Sequence, residues 1–123
     1  MTPEEINGLF AIWDEALGTG DPDQVTALYA TDAVLLPTLS NRVRTDHEGI
    51  RDYFVGFCAK GPRGAIDETH TRVLADRVVS NSGIYTFTFA DGSAVSARFS
   101  YVYRNDGDSW KIIEHHSSAM PEG

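Results

Sequence analysis

Aromatic side chains occupy every second position in two neighbouring segments of the last third of the chain. They are Tyr85, Phe87 and Phe89 in the first segment and Phe99, Tyr101 and Tyr103 in the second. A period of two is typical of a β-strand whose two faces meet different environments, and the Asp91-Gly92 pair between the segments favours a tight hairpin turn. The pattern therefore predicts two antiparallel strands with one continuous aromatic face. Such a face can line a ligand pocket, or it can be part of an ordinary hydrophobic core.

Three helices are predicted in the first half of the chain. Each prediction combines a capping residue with apolar residues that recur on one helical face. In the first helix, for example, Thr2 and Glu5 form a capping box and Pro3 takes the first helical position. The predicted caps are Thr2, Asp21 and Thr45, and the predicted ends are Gly18 or Gly20, Ala30, and Gly61-Pro62.

The remaining apolar segments predict five strands. A short run at 33–36 is closed by Pro37. The four longer strands are expected at 66–75, 78–90, 93–104 and 110–118. Short connections between the long strands favour antiparallel neighbours. Residues 1–123 are therefore expected to form a single α+β domain, in which three N-terminal helices pack on a cone-like, curved antiparallel sheet of four long strands plus a short one.

Composition and charge limit which partners, cellular location and cofactors can be expected for this chain. The formal net charge of −8 disfavours nucleic acid and anionic membranes as partners, because both bind clustered Lys and Arg. No apolar run approaches the ~20 residues that cross a bilayer, and the N-terminus lacks the basic and apolar regions of a signal peptide. Cys58 is the single cysteine, so no internal disulfide is expected and a cytoplasmic location is favoured. No cofactor-binding motif is present, and no cofactor is expected.

The opposite face of the predicted sheet is polar but carries short side chains and little charge. Its residues are Ile84, Thr86, Thr88, Ser96, Arg98, Ser100 and Val102. Such a surface suits a contact between subunits better than open solvent, so we predict a homodimer or a larger homo-oligomer. Simple alternation points Arg98 to this face, away from Phe99 and Tyr101, unless a β-bulge reverses it.

The order of elements and several local strings resemble the nuclear transport factor 2-like superfamily over nearly the full chain. The strings in its first half are Gly20-Asp21, Leu28-Tyr29-Ala30, Asp32-Ala33-Val34, Glu48-Gly49-Ile50 and Tyr53-Phe54. The closing run from Asp106-Gly107 to Pro121 is most similar to the branch that contains the calcium/calmodulin-dependent protein kinase II association domain, close to SnoaL-like proteins. This superfold hosts isomerases, cyclases, dehydratases, transport factors and assembly hubs. The association-domain resemblance implies homo-oligomers.

The resemblance also sets expectations for activity. In ketosteroid-isomerase-like members, the catalytic tyrosine and acids fall on the positions of Trp13, Phe99 and Pro37, which cannot perform that chemistry. Kinase-hub domains carry arginines that can bind small carboxylates. The matching positions fall near Phe99 or Ser100 and on Ser117, so most of that cationic cluster is missing.

Histidine and hydroxyl side chains supply the candidate polar contacts. His115 and His116 are adjacent on a strand and face opposite sides, which disfavours a two-histidine metal clip, and no metal site is predicted. If Ile113 packs inward, His115 and Ser117 point into the space enclosed by the curved sheet and the helices. His115 is then either a core histidine bonded to a tyrosine or a group that contacts ligand and transfers protons, and it is the best catalytic candidate. The sequence does not decide to which side of the sheet His70 points. The candidate ligand-binding residues are Trp13, Tyr53, Tyr85, Phe99, Tyr101, His115 and Ser117.

Two functions remain open at this point. The first is a small self-associating domain, similar to the kinase association domain, whose aromatic pocket takes a small hydrophobic or carboxylate ligand. The second is a SnoaL-like enzyme of a biosynthetic pathway, performing cyclase-, isomerase- or hydratase-type acid–base chemistry with His115 as the base. The polar loop 38–45, which contains Arg42 and Arg44, is expected to be solvated in either case.

Overall fold

A computed structural model describes all residues from 1 to 123. Its helices are α1 (Pro3–Gly18), α2 (Pro22–Thr26) and α3 (His47–Cys58), and its strands are β1 (Tyr29–Leu36), β2 (Arg63–Ala75), β3 (Val78–Thr88), β4 (Ala94–Asn105) and β5 (Trp110–Ala119). The predicted α+β class and order of elements are confirmed. No helix has both the length and the apolar character needed to cross a bilayer.

Two of the helix starts show how side chains bond free backbone N–H groups. At α1, Thr2 accepts a hydrogen bond from the N–H of Glu5 while the Glu5 carboxylate accepts one from the N–H of Thr2, which confirms the capping box. α3 is capped by Asp46 and not, as predicted, by Thr45. The Asp46 carboxylate accepts from an N–H of the first turn at 2.7 Å, so a stronger acceptor one residue further along takes the capping role.

The second helix is shorter than predicted because the residues predicted at its end belong to strand β1. Helix α2 ends at Thr26, and Tyr29 and Ala30 belong to β1. The N–H of Ile112 donates to the carbonyl of Leu28 at 2.9 Å. Pairing with β5, a strand about 80 residues away in the sequence, thus replaces the last helical turn with extended chain.

The strands form one sheet in the order β1-β5-β4-β3-β2. Strands β2 to β5 pair as antiparallel neighbours, as predicted. Strand β1 lies beside β5 and runs parallel to it, which the expectation of an antiparallel sheet did not include. Helix α3 and three strands separate β1 from β5 in the chain, so no hairpin constrains the direction of this pair.

The aromatic face of the sheet looks inward beneath the helices, as predicted. Its rings are Tyr85, Phe87, Phe99, Tyr101 and Tyr103, none more than 5% exposed. Helix α1 covers them with Phe10 and Trp13, which are also buried. Each buried ring contributes roughly 2–3 kcal/mol to stability. Arg98 pairs in regular register and is exposed on the outer face, so no bulge turns it inward.

Candidate ligand-binding cavity

A cavity of about 70 Å³ lies between the inner face of the sheet, helix α3 and the segment that follows β1. Helix α3 contributes Tyr53 and Phe57, strand β3 contributes Phe87, and the segment after β1 contributes Thr38 and Leu39. Twelve of its 17 lining residues are hydrophobic, so the wall suits an apolar guest with few polar contacts.

The structure brings five of the seven predicted ligand-binding residues to the cavity wall. They are Trp13, Tyr53, Tyr85, His115 and Ser117. The other two, Phe99 and Tyr101, do not line the cavity. Phe99 stacks on Tyr85 with ring centroids 4.8 Å apart, and Tyr101 stacks on His115 at 4.1 Å. Both pack behind residues that face the cavity, so their role in this geometry is to support the wall.

His115 is 3% exposed, and both of its ring nitrogens meet tyrosine hydroxyls. Its Nδ1 lies 2.8 Å from the hydroxyl of Tyr29, and its Nε2 lies 3.2 Å from the hydroxyl of Tyr85. Trp13 packs nearly perpendicular to the same ring, with an interplanar angle of 89° and a centroid distance of 5.5 Å. His115 is thus tied into the core and also forms part of the cavity wall.

Burial controls the protonation of these groups. Burial, with a smaller contribution from the nearby His116, lowers the pKa of His115 to about 3. The imidazole is therefore neutral at neutral pH and carries a single N–H. Burial also raises the pKa of Tyr85 and raises that of Tyr53 to about 12, so both hydroxyls keep their protons.

A β-bulge determines which residues of β5 face inward. The pairing of β4 with β5 shifts by one residue beside Ile113, which leaves Ile113 half-buried while Ile112 is 2% exposed. Ile113 packs against the core as a partly buried residue, and the neighbouring Ile112 is buried there as well. Beyond the bulge the alternation continues, and His115 and Ser117 face the cavity.

Hydrogen bonds between side chains form one continuous chain that ends at the cavity. In order, its members are Trp13, Tyr29, His115, Tyr85, Ser117 and Thr38. The indole N–H of Trp13 donates to the hydroxyl of Tyr29 at 3.1 Å. At the other end, the Tyr85 hydroxyl donates to Ser117 Oγ at 2.6 Å and the Thr38 hydroxyl donates to the same oxygen at 2.7 Å. The polar part of the wall is thus a linked cluster of uncharged groups.

Tyr29 and Thr38 were not predicted as members of the site. Tyr29 was placed in the second helix. Strand β1 gives no simple alternation that would have corrected this, because Tyr29 and Ala30 are both buried and the next two residues are both exposed. Thr38 offers no signal either, because it lies between regular elements and its position depends on a contact with a residue 79 positions away.

No lysine or arginine lines the cavity. Arg44, expected in a solvated loop, is only 8% exposed because its backbone pairs with Leu35. Its guanidinium donates to the carbonyl of Gly49 at 2.8 Å and to the carboxylate of Asp52 at 2.9 Å, and it lies 5.7 Å from the centroid of the Tyr53 ring. Its charge is therefore matched by Asp52 behind the cavity wall.

The remaining histidine candidates lie away from the cavity. His70 is exposed on β2, with Nε2 2.7 Å from a carboxylate oxygen of Glu68. His70 pairs with Ser82, and Ser100 pairs with both Ser82 and His116, so the facing of His70 is toward the outer side of the sheet. No group of three or more His, Cys, Asp or Glu side chains is arranged to hold a metal ion.

Comparison with known proteins places this architecture in a family. The family model of the calcium/calmodulin dependent protein kinase II association domain matches residues 2–121. A solved structure from Xanthomonas campestris, described as such an association domain, is 46% identical with a TM-score of 0.96, over 100% of this chain and 91% of that chain. None of the curated proteins matches this sequence.

More distant solved structures share the fold. A nuclear transport factor 2-like protein of unknown function from Pseudomonas putida is 20% identical with a TM-score of 0.80, over 95% of this chain and 85% of that chain. An association-domain protein from Thiobacillus denitrificans is 18% identical with a TM-score of 0.78, over 97% and 95%. The predicted resemblance to nuclear transport factor 2-like proteins and their association-domain branch is confirmed. The chain belongs to the calcium/calmodulin-dependent protein kinase II association-domain family.

Proposed function

We propose that this protein is a self-associating domain that holds a small, uncharged, largely apolar ligand in its aromatic cavity. The observation that carries the proposal is the wall itself, in which aromatic and aliphatic side chains surround one cluster of uncharged hydrogen-bonding groups. A carboxylate ligand is less well supported, because an anion there would lose its hydration and meet no cation.

Binding is supported better than acid–base catalysis. A general base works best when its pKa lies near the operating pH, whereas His115 has a pKa of about 3. Both of its nitrogens are also engaged by tyrosine hydroxyls. No carboxylate lines the cavity to take over the role of the base.

Self-association is supported by the family and by the outer face of the sheet. The family is named for association. On the outer face, Ser82 and Ser100 form a row of short side chains with His116 across β3, β4 and β5. Arg98 lies in the next row without an ion pair, and Glu114 is exposed. A second copy packed face to face could pair these opposite charges and cover the short side chains.

Ligand binding can be tested by nuclear magnetic resonance with the two indole N–H signals as reporters. Trp13 lines the cavity, whereas Trp110 does not and serves as the internal control. We expect α-methylstyrene, an uncharged aromatic probe, to shift the signal of Trp13 and leave that of Trp110 in place. Benzoate at the same concentration is expected to shift neither signal.

A matched variant locates the binding. Ala97 lines the cavity and is 4% exposed, so Ala97→Leu should fill part of the space and abolish the shift of Trp13. Ala11→Leu, on the exposed side of α1, should leave the shift intact. Equal shifts of both indoles, or no shift up to the solubility limit of the probe, would overturn the proposed ligand site.

A further inference from the structure

The hydrogen-bond chain from Trp13 to Thr38 contains one more proton than it needs. Five contacts link six neutral side chains, and each side chain brings one N–H or O–H proton. Since each contact uses one proton, one proton is left over. The position of that proton decides what the cavity offers to a ligand.

The two ends of the hydrogen-bond chain differ in the surroundings that they offer to a spare proton. The Trp13 N–H can only donate, so its bond to Tyr29 has a fixed direction. If His115 donated from Nδ1, the Tyr29 hydroxyl proton would be left without an acceptor in a side chain that is 1% exposed. An unpaired donor in such a place is costly.

The lower-energy arrangement runs in the opposite direction. Tyr29 donates to Nδ1 of His115, whose proton is then on Nε2 and is donated to the Tyr85 hydroxyl. Tyr85 in turn donates to Ser117 Oγ, which also accepts from Thr38. The spare proton is then the hydroxyl proton of Ser117, a residue of the cavity wall.

We propose that the cavity selects uncharged molecules that carry a hydrogen-bond acceptor, such as a ketone or aldehyde oxygen, placed against the hydroxyl of Ser117. This inference rests on the proposed ligand-binding function and adds the chemical class of the ligand. A neutral acceptor uses the spare proton, whereas a carboxylate would bring a full charge to a wall without lysine or arginine. A purely apolar molecule would leave the spare donor unpaired.

The direction of the chain can be tested without any ligand. Nitrogen-15 spectra of the histidine side chains distinguish the two neutral tautomers and the charged form. We expect His115 to be neutral with its proton on Nε2 throughout pH 5–8. A proton on Nδ1 would reverse the chain, place the spare proton on Tyr29 and overturn the inference.

The ligand class can be tested with two probes of the same shape. Acetophenone has a carbonyl oxygen where α-methylstyrene has a methylene group. In a Tyr85→Phe/Thr38→Val background, where the loss of Ser117 frees no other hydroxyl of the wall, we expect Ser117→Ala to lower the affinity for acetophenone roughly three- to tenfold relative to the affinity for α-methylstyrene. Comparing the two probes cancels any loosening of the cavity that the substitution causes. Ser118→Ala, on the outer side of the sheet opposite Arg98, should leave the ratio of the two affinities unchanged.

The outcomes separate this inference from the proposed function. If both probes bind in the cavity and Ser117→Ala changes their affinities by the same factor, the ligand site stands and the acceptor preference is wrong. If neither probe shifts the Trp13 signal, both the site and the preference are overturned. Should Ser117→Ala fail to fold, the tautomer of His115 in the unmodified protein still decides the direction of the chain.

Discussion

At the scale of single residues, His115 shows how burial turns an ionisable group into a structural link. Its ring lies among Tyr29, Tyr85, Tyr101 and Trp13. None of these side chains is charged, and burial is the larger cause of its low pKa. The neutral ring can accept at one nitrogen and donate at the other, which is what joins the two tyrosine hydroxyls into one chain.

The same burial predicts a pH dependence of stability. The pKa of His115 is about 3 in the folded protein and about 6.5 in an unfolded chain, so the unfolded state binds more protons between these values. The contribution of His115 is therefore present above pH 6.5 and is lost as the pH falls toward 3. Between pH 6 and pH 5, we expect the free energy of unfolding to fall by about 1 kcal/mol from this group alone.

Urea unfolding at the two pH values checks this expectation at a fixed protein concentration. His115→Gln should lack this part of the pH dependence, while His116→Gln, a substitution at an exposed position, should keep it. The carboxylates titrate in all three proteins and cancel in the comparison. Equal pH dependence in His115→Gln and the unmodified protein would contradict the buried, neutral His115.

At the scale of elements, irregularities in the strands do as much as regular pairing to shape the inner face. The bulge beside Ile113 in β5 turns Ile112 and His115 inward. A second register shift, between Ile66 and Glu68 in β2, brings backbone close to β3. At that point Gly83 faces the carbonyl of Glu68, and a Cβ at Gly83 would overlap that oxygen. Gly83 is thus required by close approach of two backbones.

Gly83→Ala should therefore destabilise the protein by about 1–3 kcal/mol, or shift the pairing of β2 with β3, because backbone atoms cannot move aside cheaply. Gly8→Ala is the matched control. A Cβ at Gly8 in α1 meets no atom within 4 Å, so this change should stabilise the helix by up to about 1 kcal/mol. Denaturant unfolding measures both effects, and equal midpoints for the two variants would contradict the close approach.

At the scale of the whole molecule, the sheet keeps the two surfaces of the proposed functions on opposite sides. The inner side holds the rings and the cavity, and the outer side carries short polar residues such as Ser82 and Ser100. If two copies pack through the outer side, the cavities stay on opposite sides of the assembly and remain accessible. Ligand binding and association are then independent properties of one small domain.

Substitution of Ser100 by arginine tests the proposed association surface. Ser100 is central to the outer side, between Ser82 on β3 and His116 on β5, so Ser100→Arg should place bulk and like charge at the contact and produce monomers. Ser109→Arg, in the exposed turn before β5, should not. Size-exclusion chromatography with light scattering at micromolar concentration gives the mass of each, and a monomer for the unmodified protein would remove the proposed interface.

A second readout follows from mass action. Because association stabilises only the folded chain, the Tm of the unmodified protein should rise with protein concentration. The Tm of Ser100→Arg should not depend on concentration. A concentration-independent Tm for all three proteins would contradict association through this or any other surface.

Much of the fold follows from patterns that need only neighbouring residues. The Thr2 capping box, the alternating rings of β3 and β4 and the short connections between strands all act over a few positions in the chain. They were sufficient to predict the α+β class, the antiparallel order of the long strands and the inward aromatic face. Within the candidate site, the same local patterns predicted Trp13 and His115, because both residues lie on strongly apolar faces.

Other features depend on residues that meet only after the chain has folded. The parallel pairing of β1 with β5 and the hydrogen bond between Tyr29 and His115 each connect positions that no local pattern relates. A one-residue bulge in β5 likewise places Ile112 on the inner side of the sheet, and no feature of the neighbouring sequence predicts that bulge. Local periodicity specifies which residues avoid water, whereas hydrogen-bond partners far along the chain specify which polar groups finally meet at the cavity.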